Sequence, residues 1–425
     1  MVPFCGPRVS PPATGSPRRS NPETWGLKHD VLIIGAGAAG LAAADVLSRA
    51  GCSVVILEAR DRIGGRCWTR HLPGLGIPVE LGAEFMHGEA APTHALLRRA
   101  HRAAIDSVRE QRTLERGRLR PVNGFVEARR ATRGVQIGRD VSFDRFLSGT
   151  DLPARTKSFA RMMVEGFDAA DPRRVSARSI IAEWGEGGEL DHSQPRPQGG
   201  YGPLLEWLTA SLLRRGARLR LQSPVQHLNW RRGAVSANGE SAKRAVITLP
   251  LDLIHLKEKR DALRKLGAGP VIRVALAFDE EFWRRRAPDV AFFHVPGAAF
   301  PTFWTPLPMR APLLTAWAGG PKAARLSGKP SKKLIAEALQ VVSRVFGRLP
   351  PLRCAYVQDW RADPWSRGGY SYVLVGGEGA REELAKPLKD TLFFAGEATD
   401  SEESGTVAGA LRSGQRAAKA VLETL

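Results

Sequence analysis

The sequence predicts an α/β protein in which a parallel-sheet domain is assembled from separated segments, with a second domain inserted between them. Two observations carry this prediction. A buried strand, a glycine-rich turn, a helix and a second buried strand follow one another over residues 30–58, which is a βαβ unit. A late buried strand at residues 391–396 is followed by a helix from about Thr406.

The N-terminal part of the chain divides into three regions. Residues 1–28 are rich in Pro, Ser, Arg and Gly without an apolar period, so we expect a disordered tail. In the βαβ unit, the strands are expected at residues 30–34 and 53–58 and the helix at 38–50. Residues 88–197 are rich in arginine and helical in tendency, with little strand signal.

The rest of the chain alternates between the two domains. Leucines at helical spacing predict a helix at 201–215, and residues 271–278 and 313–318 alternate as strands. Further strand-like segments lie at 218–222, 225–230 and 245–250, and residues 331–346 form an amphipathic helix. The predicted division assigns residues 29–87, 198–255 and 391–425 to the first domain and residues 88–197 and 256–390 to the second.

Composition limits the classes of partner. The 425 residues include 63 basic and 43 acidic ones, a net charge of +20, and 43% are hydrophobic, which is normal for a globular protein with a large core. The densest basic stretch is 98–140. No zinc-finger spacing or RNA-recognition motif accompanies it, so a solvated basic surface is favoured over an anionic partner, and no nucleic acid is expected.

Cysteine and histidine usage argues against a metal site. Cys5, Cys52, Cys67 and Cys354 show no ligand spacing, and their scatter fits a reducing compartment. The N-terminus has no apolar core of a secretory signal, and the most apolar run, 31–47, is short for a membrane span. We therefore expect no metal, no membrane span and a cytoplasmic location.

The glycine-rich turn has the GxGxxG spacing of Rossmann-type dinucleotide binding. Gly35 and Gly37 permit a tight turn and close approach of the backbone to a pyrophosphate, and Gly40 permits helix–strand packing. Ala38 and Ala39 begin the helix, whose free N–H groups face the phosphates. Glu58 ends the next strand 21 residues after Gly37, where a carboxylate can bind ribose hydroxyls.

The residues after Glu58 separate FAD from NAD. Residues 58–66, Glu-Ala-Arg-Asp-Arg-Ile-Gly-Gly-Arg, resemble the extended signature of the flavin-dependent amine oxidase family. The resemblance implies the two-domain architecture that this family shares with glutathione reductase, and FAD as cofactor. It also implies that the segment contacts the cofactor through Ala59, Arg60, Gly64, Gly65 and Arg66.

The resemblance extends over nearly the whole chain after residue 28. Residues 82–88 look like the segment that lines the flavin site in polyamine oxidases, and residues 360–372 resemble the loop that places aromatics over the isoalloxazine. Residues 393–399 resemble the second FAD motif, with Glu397 at the ribityl chain. The cofactor contacts implied by these and neighbouring segments are Gly82, Ala83, Glu84, Phe85, Val225, Trp360, Gly396, Glu397, Thr406 and Val407. By motif, polyamine oxidases and histone lysine demethylases are closer than monoamine oxidases.

Departures from the family pattern bear on the chemistry. Gly369 occupies the position where some relatives attach the flavin through a cysteine, so we expect noncovalent FAD. Tyr370 matches the first tyrosine of the substrate cage, but Thr406 stands at the second. Arg273 occupies the position of the lysine that holds a water near flavin N5, counted back from Phe278. We hypothesise that Arg273 favours negatively charged substrates or stabilises reduced anionic flavin.

Three further aromatic residues have two interpretations each. His87, at the substrate entrance of polyamine oxidases, either titrates near neutral pH and touches substrate or packs beside FAD without a catalytic role, and the second is favoured. Trp304 and Trp317 lie in alternating strands and are expected in the core rather than in a pocket wall.

The implied reaction is oxidation of an amine. A hydride passes from the carbon next to nitrogen to flavin N5, the imine hydrolyses, and dioxygen, or another acceptor, reoxidises the flavin, with dioxygen giving hydrogen peroxide. The catalytic residues expected are Arg273, Tyr370, Thr406 and His87. A desaturase or an L-amino-acid oxidase on the same fold is the alternative, because arginine suits carboxylates. A non-catalytic flavoprotein binding module is a further alternative.

Overall fold

The computed structural model of the protein describes residues 26–185 and 194–425, so most of the expected tail at 1–28 lies outside the described residues. The strands are β1 (His29–Ile34), β2 (Val54–Leu57), β3 (Thr69–His71), β4 (Pro78–Glu80), β5 (Ala104–Ile105), β6 (Gln111–Glu115), β7 (Arg118–Pro121), β8 (Arg196–Pro197), β9 (Arg218–Arg220), β10 (Asn229–Arg231), β11 (Ala234–Ala237), β12 (Glu240–Ile247), β13 (Leu266–Gly269), β14 (Val271–Phe278), β15 (Phe292–His294), β16 (Thr302–Trp304), β17 (Leu313–Gly319), β18 (Leu352–Asp359), β19 (Tyr370–Val373) and β20 (Leu392–Phe394). The helices are α1 (Ala38–Arg49), α2 (Ala91–Arg99), α3 (Gly124–Arg129), α4 (Phe143–Ser148), α5 (Ala154–Gly166), α6 (Ala177–Glu183), α7 (Tyr201–Arg214), α8 (Arg260–Leu263), α9 (Gly320–Leu326), α10 (Ser331–Phe346), α11 (Ala380–Ala385) and α12 (Val407–Leu422).

The first sheet is built around parallel strands. Its order is β10-β11-β12-β1-β2-β9, and β20 pairs with β12. The pairs β12–β1, β1–β2, β2–β9 and β12–β20 are parallel. Because β1 and β2 are covered on both faces, the sequences of these two strands are nearly continuous apolar runs. Helices α1, α7 and α12 pack on one face, where Gly414 lets α12 approach α1: a Cβ there would lie 2.1 Å from the Ala39 carbonyl oxygen.

The second sheet has one apolar face and one face of larger polar and aromatic side chains. Its order is β18-β14-β17-β16-β15-β6-β7. In β14, Ile272, Val274 and Leu276 join the core formed with α10, whereas Arg273 faces the opposite side. Since side chains alternate along a strand and opposed residues share a face, the register Arg273↔Trp317 and Trp317↔Thr302 puts these three side chains on one surface.

The α/β fold class is confirmed, and so are most of the predicted elements. Helix α10 has the predicted bounds 331–346, and β14 has the predicted bounds 271–278. The described part of residues 88–197 is mainly helical, as predicted, but β6 and β7 also form a hairpin that extends the second sheet. Its turn, Arg116–Gly117, has φ angles of 48° and 76°, the left-handed pair of a two-residue hairpin loop. The segment 225–230 is strand only from Asn229.

The two sheets draw on different segments of the chain. The strands of the first sheet all lie within residues 29–87, 198–255 and 391–425, and those of the second lie within 88–197 and 256–390. The domain boundaries themselves stay a prediction.

Candidate functional site

A cavity of about 820 Å³ lies where the carboxyl ends of the first sheet meet the polar face of the second. The ends of β1, β2 and β12 reach it through Ile34, Leu57 and Ile247, each followed by further lining residues. In open α/β sheets, ligands bind at this edge. The cavity therefore joins the two sheets in one site.

The glycine turn forms one wall of the cavity. Gly35, Gly37, Ala38 and Ala39 line it, and a Cβ on Gly37 would meet nothing within 4 Å. None of the described side chains caps the N-terminus of α1, so the first N–H groups of this helix can bind an acceptor. Gly40 does not line the cavity; a Cβ there would lie 2.0 Å from the Gly35 carbonyl oxygen, which fits the packing role that its position in the motif predicts.

Glu58 is held in place at the end of β2. Its carboxylate accepts hydrogen bonds from the backbone N–H of Ala36 at 2.7 Å and of Arg60 at 2.9 Å. Ala59 and Arg60 also line the cavity. The Arg60 guanidinium, however, is paired with Asp363 at 2.7 Å, so the chain itself occupies much of its binding capacity.

An ion pair connects the two segments that resemble FAD motifs. Arg66, which lines the cavity with Gly64 and Gly65, donates to Glu397 at 2.9 Å and to the Gly369 carbonyl at 2.6 Å. Burial favours the neutral form of Glu397, but the charges of Arg66 and Arg381 hold the pKa of this carboxyl below its ordinary value. An ionised carboxylate therefore stands at the cavity next to Gly396.

A second helix begins at the cavity. Thr406 caps α12: its hydroxyl accepts from the Gly409 N–H at 2.9 Å and donates to the Glu403 carbonyl at 2.7 Å. Both hydrogen-bonding roles of the hydroxyl are thus taken by the helix cap. Thr406 and Val407 line the cavity, but the expectation that Thr406 acts directly on substrate is not favoured by this geometry.

The segment 82–85 carries a carboxylate bound by three donors. Glu84 accepts from Arg196 Nε at 2.6 Å, from Trp304 Nε1 at 3.0 Å and from Arg273. Burial opposes ionisation, but Arg273 and Arg196 lower the pKa of Glu84. Sequence reasoning assigned Glu84 to the cofactor. Glu84 lines the cavity and is the counter-ion of two buried guanidinium groups, and its contact with a cofactor stays a prediction. Gly82, Ala83 and Phe85 line the cavity beside it.

Arg273 lies in the cavity wall and is 2% exposed. Its Nη1 donates to the Gly82 carbonyl at 2.9 Å, and its Nη2 donates to Glu84. Its Nε has no hydrogen-bond partner among the described residues. Glu84 and the Gly82 carbonyl each accept from one terminal nitrogen, so the chain itself uses much of the binding capacity of the fork, and the expectation that Arg273 favours negatively charged substrates stays a prediction.

Aromatic rings surround the part of the cavity near Arg273. Trp304 lies 5.6 Å from Trp317 and 5.8 Å from Phe85 between ring centroids, and the Tyr370 hydroxyl donates to the Phe167 carbonyl at 2.6 Å. Both tryptophans line the cavity, so the expectation that they belong to the core alone was wrong. Val225 and Trp360 also line it, as predicted.

His87 packs between rings in the same wall. Its ring lies 5.1 Å from Phe167 in an edge arrangement, and burial lowers its pKa to about 4. This favours a neutral imidazole at pH 7 and the packing role over titration near neutral pH.

Sequence reasoning missed the lining residues of β6, β15 and β16. Gln111, Phe292, His294 and Thr302 lie on the same face as Trp304. Burial lowers the pKa of His294 to about 4. The hairpin turn at Arg116–Gly117 and the alternation before it are the signals that could have revealed β6.

The described parts of the chain hold neither a candidate metal cluster nor a candidate membrane span. Among residues 26–185 and 194–425, no group of histidine, cysteine and acidic side chains is arranged to hold a metal ion. Within the same ranges, no helix has the length and apolar character needed to cross a bilayer.

Comparisons with known proteins agree with this geometry. The family model for flavin-containing amine oxidoreductases matches residues 38–123 and 106–422. The human lysine-specific histone demethylase 2 is 29% identical over 92% of this chain and 53% of its own length. Polyamine oxidase 2 of Arabidopsis thaliana is 28% identical over 92% of this chain and 87% of its own length. The chain spans about half the length of the human demethylase.

Solved structures share the fold. Wild-type putrescine oxidase bound to putrescine superimposes with a TM-score of 0.77 at 22% identity, covering 93% of this chain and 99% of that one. Cyclohexylamine oxidase from Brevibacterium oxydans IH-35A also has a TM-score of 0.77, at 20% identity with the same coverage.

Proposed function

The chain belongs to the family of flavin-containing amine oxidoreductases, and from that premise we propose that it is an FAD-dependent oxidase of small, polyamine-like amines. One observation carries the proposal. A single continuous cavity runs from a dinucleotide-type glycine turn to an aromatic wall, so a bound dinucleotide and a small substrate share one enclosed space.

The residues of the cavity fit FAD. The free N–H groups of α1 suit a pyrophosphate, and the fixed Glu58 carboxylate suits ribose hydroxyls. The ionised Glu397 can accept hydrogen bonds from the hydroxyls of a ribityl chain. When bound, the flavin supplies the redox chemistry, taking a hydride from the carbon next to nitrogen and passing the electrons to dioxygen with formation of hydrogen peroxide.

We propose that the FAD is noncovalent. Gly369 cannot form a thioether. Cys67 is a cysteine that does line the cavity, and burial raises the pKa of its thiol to about 12, so it is not a thiolate at neutral pH.

The wall around the reacting end suits a neutral amine. Trp304, Trp317 and Tyr370 give this wall an aromatic surface that suits a water-poor site, and burial keeps His87 neutral at pH 7, so this histidine does not protonate the substrate. Glu84 and Gly82 occupy much of the hydrogen-bonding capacity of the Arg273 fork, which weighs against an L-amino-acid substrate. The imine product leaves the cavity and hydrolyses in bulk water.

The test is anaerobic mixing of the purified, flavin-loaded protein with separate panels of mono-, di- and polyamines, L-amino acids and polyenes. We expect amines to bleach the oxidised flavin absorbance, and peroxide to appear when air is admitted. Bleaching by amino acids or polyenes alone would replace the amine proposal by the corresponding alternative. Bleaching by none of them would favour a non-catalytic flavoprotein.

A matched pair of variants tests whether amine oxidation takes place in this cavity. Trp317→Phe alters the cavity wall, and kcat/KM for the best amine should fall. Trp230→Phe, in β10 outside the cavity lining, should leave it unchanged.

A further inference from the structure

Two arginines share one carboxylate behind the cavity wall. Glu84 binds Arg273 through Oε2 and Arg196 through Oε1. Both guanidinium groups are buried, with side-chain exposures of 2% and 6%. Within ion-pair distance, the described residues offer these two arginines no other carboxylate than Glu84. The cluster of Arg273, Glu84 and Arg196, here called the triad, therefore carries one net positive charge.

The remaining contacts of the triad are neutral. Arg196 donates to the Ser107 hydroxyl at 2.9 Å and to the Leu307 and Thr305 carbonyls at 2.9 and 3.2 Å. Arg273 donates to the Gly82 carbonyl and, at 3.5 Å, to the Thr315 hydroxyl. Neutral acceptors orient the guanidinium groups without cancelling charge.

The two arginines differ in position. Arg273 lines both the main cavity and a separate one of about 20 Å³, whereas Arg196 lines the small cavity and not the main one. If Arg196 were absent, Glu84 would neutralise Arg273, and the cavity wall would carry no net charge at this point. The positive charge at the wall thus depends on a residue that does not itself line the main cavity.

We infer that Arg196 is a positioning residue for the redox chemistry: by sharing Glu84 it leaves Arg273 uncompensated, and the resulting positive charge stabilises the reduced, negatively charged cofactor. The inference rests on the proposed function only in requiring that a flavin binds in the cavity. A low-dielectric surrounding makes a single unscreened charge effective over several ångströms.

Flavin reduction potentials of two variants test this inference through the sign of the change. Arg196→Gln leaves a neutral Arg273–Glu84 pair, and we expect the equilibrium constant for two-electron reduction to fall about tenfold, or about 30 mV. Glu84→Gln leaves two uncompensated arginines, and the potential should rise. A merely structural role would move both potentials in the same direction, because both variants break the same network.

Controls keep the test decisive. Arg286→Gln removes an exposed surface charge and should leave the potential unchanged. Arg196→Lys keeps the positive charge, so its flavin potential should stay near that of wild type. If Arg196→Gln does not fold, the potentials of Arg196→Lys and Glu84→Gln together test the inference. Measurements at pH 6 keep Glu80 mostly protonated, since burial raises its pKa to about 7.

The outcomes separate the inference from the proposed function. A potential unchanged in Arg196→Gln, or lowered in Glu84→Gln, would overturn the inference. Failure of every amine to reduce the wild-type flavin would overturn the proposed function while leaving the opposite shifts of the two variants intact, because the potentials are measured with reference dyes and need no substrate.

Discussion

Replacing Glu80 by glutamine should remove a pH-dependent loss of stability. Glu80 is 5% exposed and accepts hydrogen bonds from the Tyr201 N–H at 2.8 Å and the Thr69 hydroxyl at 2.9 Å. Burial is the largest influence and raises its pKa from 4.5 to about 7. Arg273 and the two neutral donors oppose the rise, and Glu84 adds to it.

The sign follows from proton binding. Between about pH 4.5 and 7 the folded protein holds a proton at Glu80 that the unfolded chain has lost, so this group makes stability fall as pH rises through that window. The loss is complete above pH 7. At about 1.36 kcal/mol per pKa unit, it amounts to about 3 kcal/mol.

The magnitude converts to a measurable shift in melting temperature. With an unfolding entropy of about 2.1 cal/mol/K per residue over this chain, about 3 kcal/mol corresponds to about 3–4 °C. Glutamine mimics the protonated carboxyl. The melting temperature of Glu80→Gln should therefore equal that of wild type near pH 4.5 and exceed it by about 3–4 °C at pH 8.

The assay is a thermal melt of the flavin-loaded protein at several pH values between 4.5 and 8.5. Wild type and variant are compared at the same pH, so the titration of His87 and His294 cancels. Exposed Glu258→Gln is the control, and its difference from wild type should not change with pH. A Glu80→Gln difference that stays constant from pH 4.5 to 8 would refute the reasoning.

Three further predictions concern the cofactor. Acid or heat should release FAD from the polypeptide, as expected for noncovalent binding, and flavin that remains with the denatured chain would contradict this. Glu58→Ala should weaken FAD binding by roughly 1.5–3 kcal/mol, about ten- to a hundredfold, through loss of charge-assisted hydrogen bonds. Titration of the apoprotein with FAD measures this, and exposed Glu383→Ala should match wild type. Arg273→Met should lower the flavin potential by about 30 mV, which is about a tenfold change in the equilibrium constant for reduction. Arg273→Lys keeps the positive charge and should keep most of the wild-type potential. An unchanged potential in the Met variant would show that the charge of Arg273 does not act on the cofactor.

Local chemistry made the first domain predictable. The glycine turn, the strands on either side of it and Glu58 lie within 30 residues of one another, so a single short stretch of sequence holds the complete pattern. The parallel strands are buried on both faces and stand out as apolar runs. The residues between 35 and 66 that the sequence assigned to the dinucleotide all line the cavity apart from Gly40.

The second wall was harder because its residues meet through sheet register. Trp304 and Trp317 carry a core-like signal, and only the pairing of β14, β16 and β17 shows that they share a face with Arg273. Once β14 is placed, its alternation indicates which residues face the core, but not what lies on the other side. That information comes from strands that are distant in the sequence.

The role of Arg273 shows why residue identity at an aligned position does not determine the charge at a site. Alignment with the family suggested a free guanidinium that would attract a carboxylate. The structure pairs it with Glu84, 189 residues away, and pairs Glu84 with Arg196, another 112 residues along the chain from Glu84. The charge felt in the cavity is the sum over this buried group, and it changes again when Glu80 ionises above about pH 7. We predict that Arg273, held in this way, acts on the cofactor through its charge rather than on the substrate through its fork.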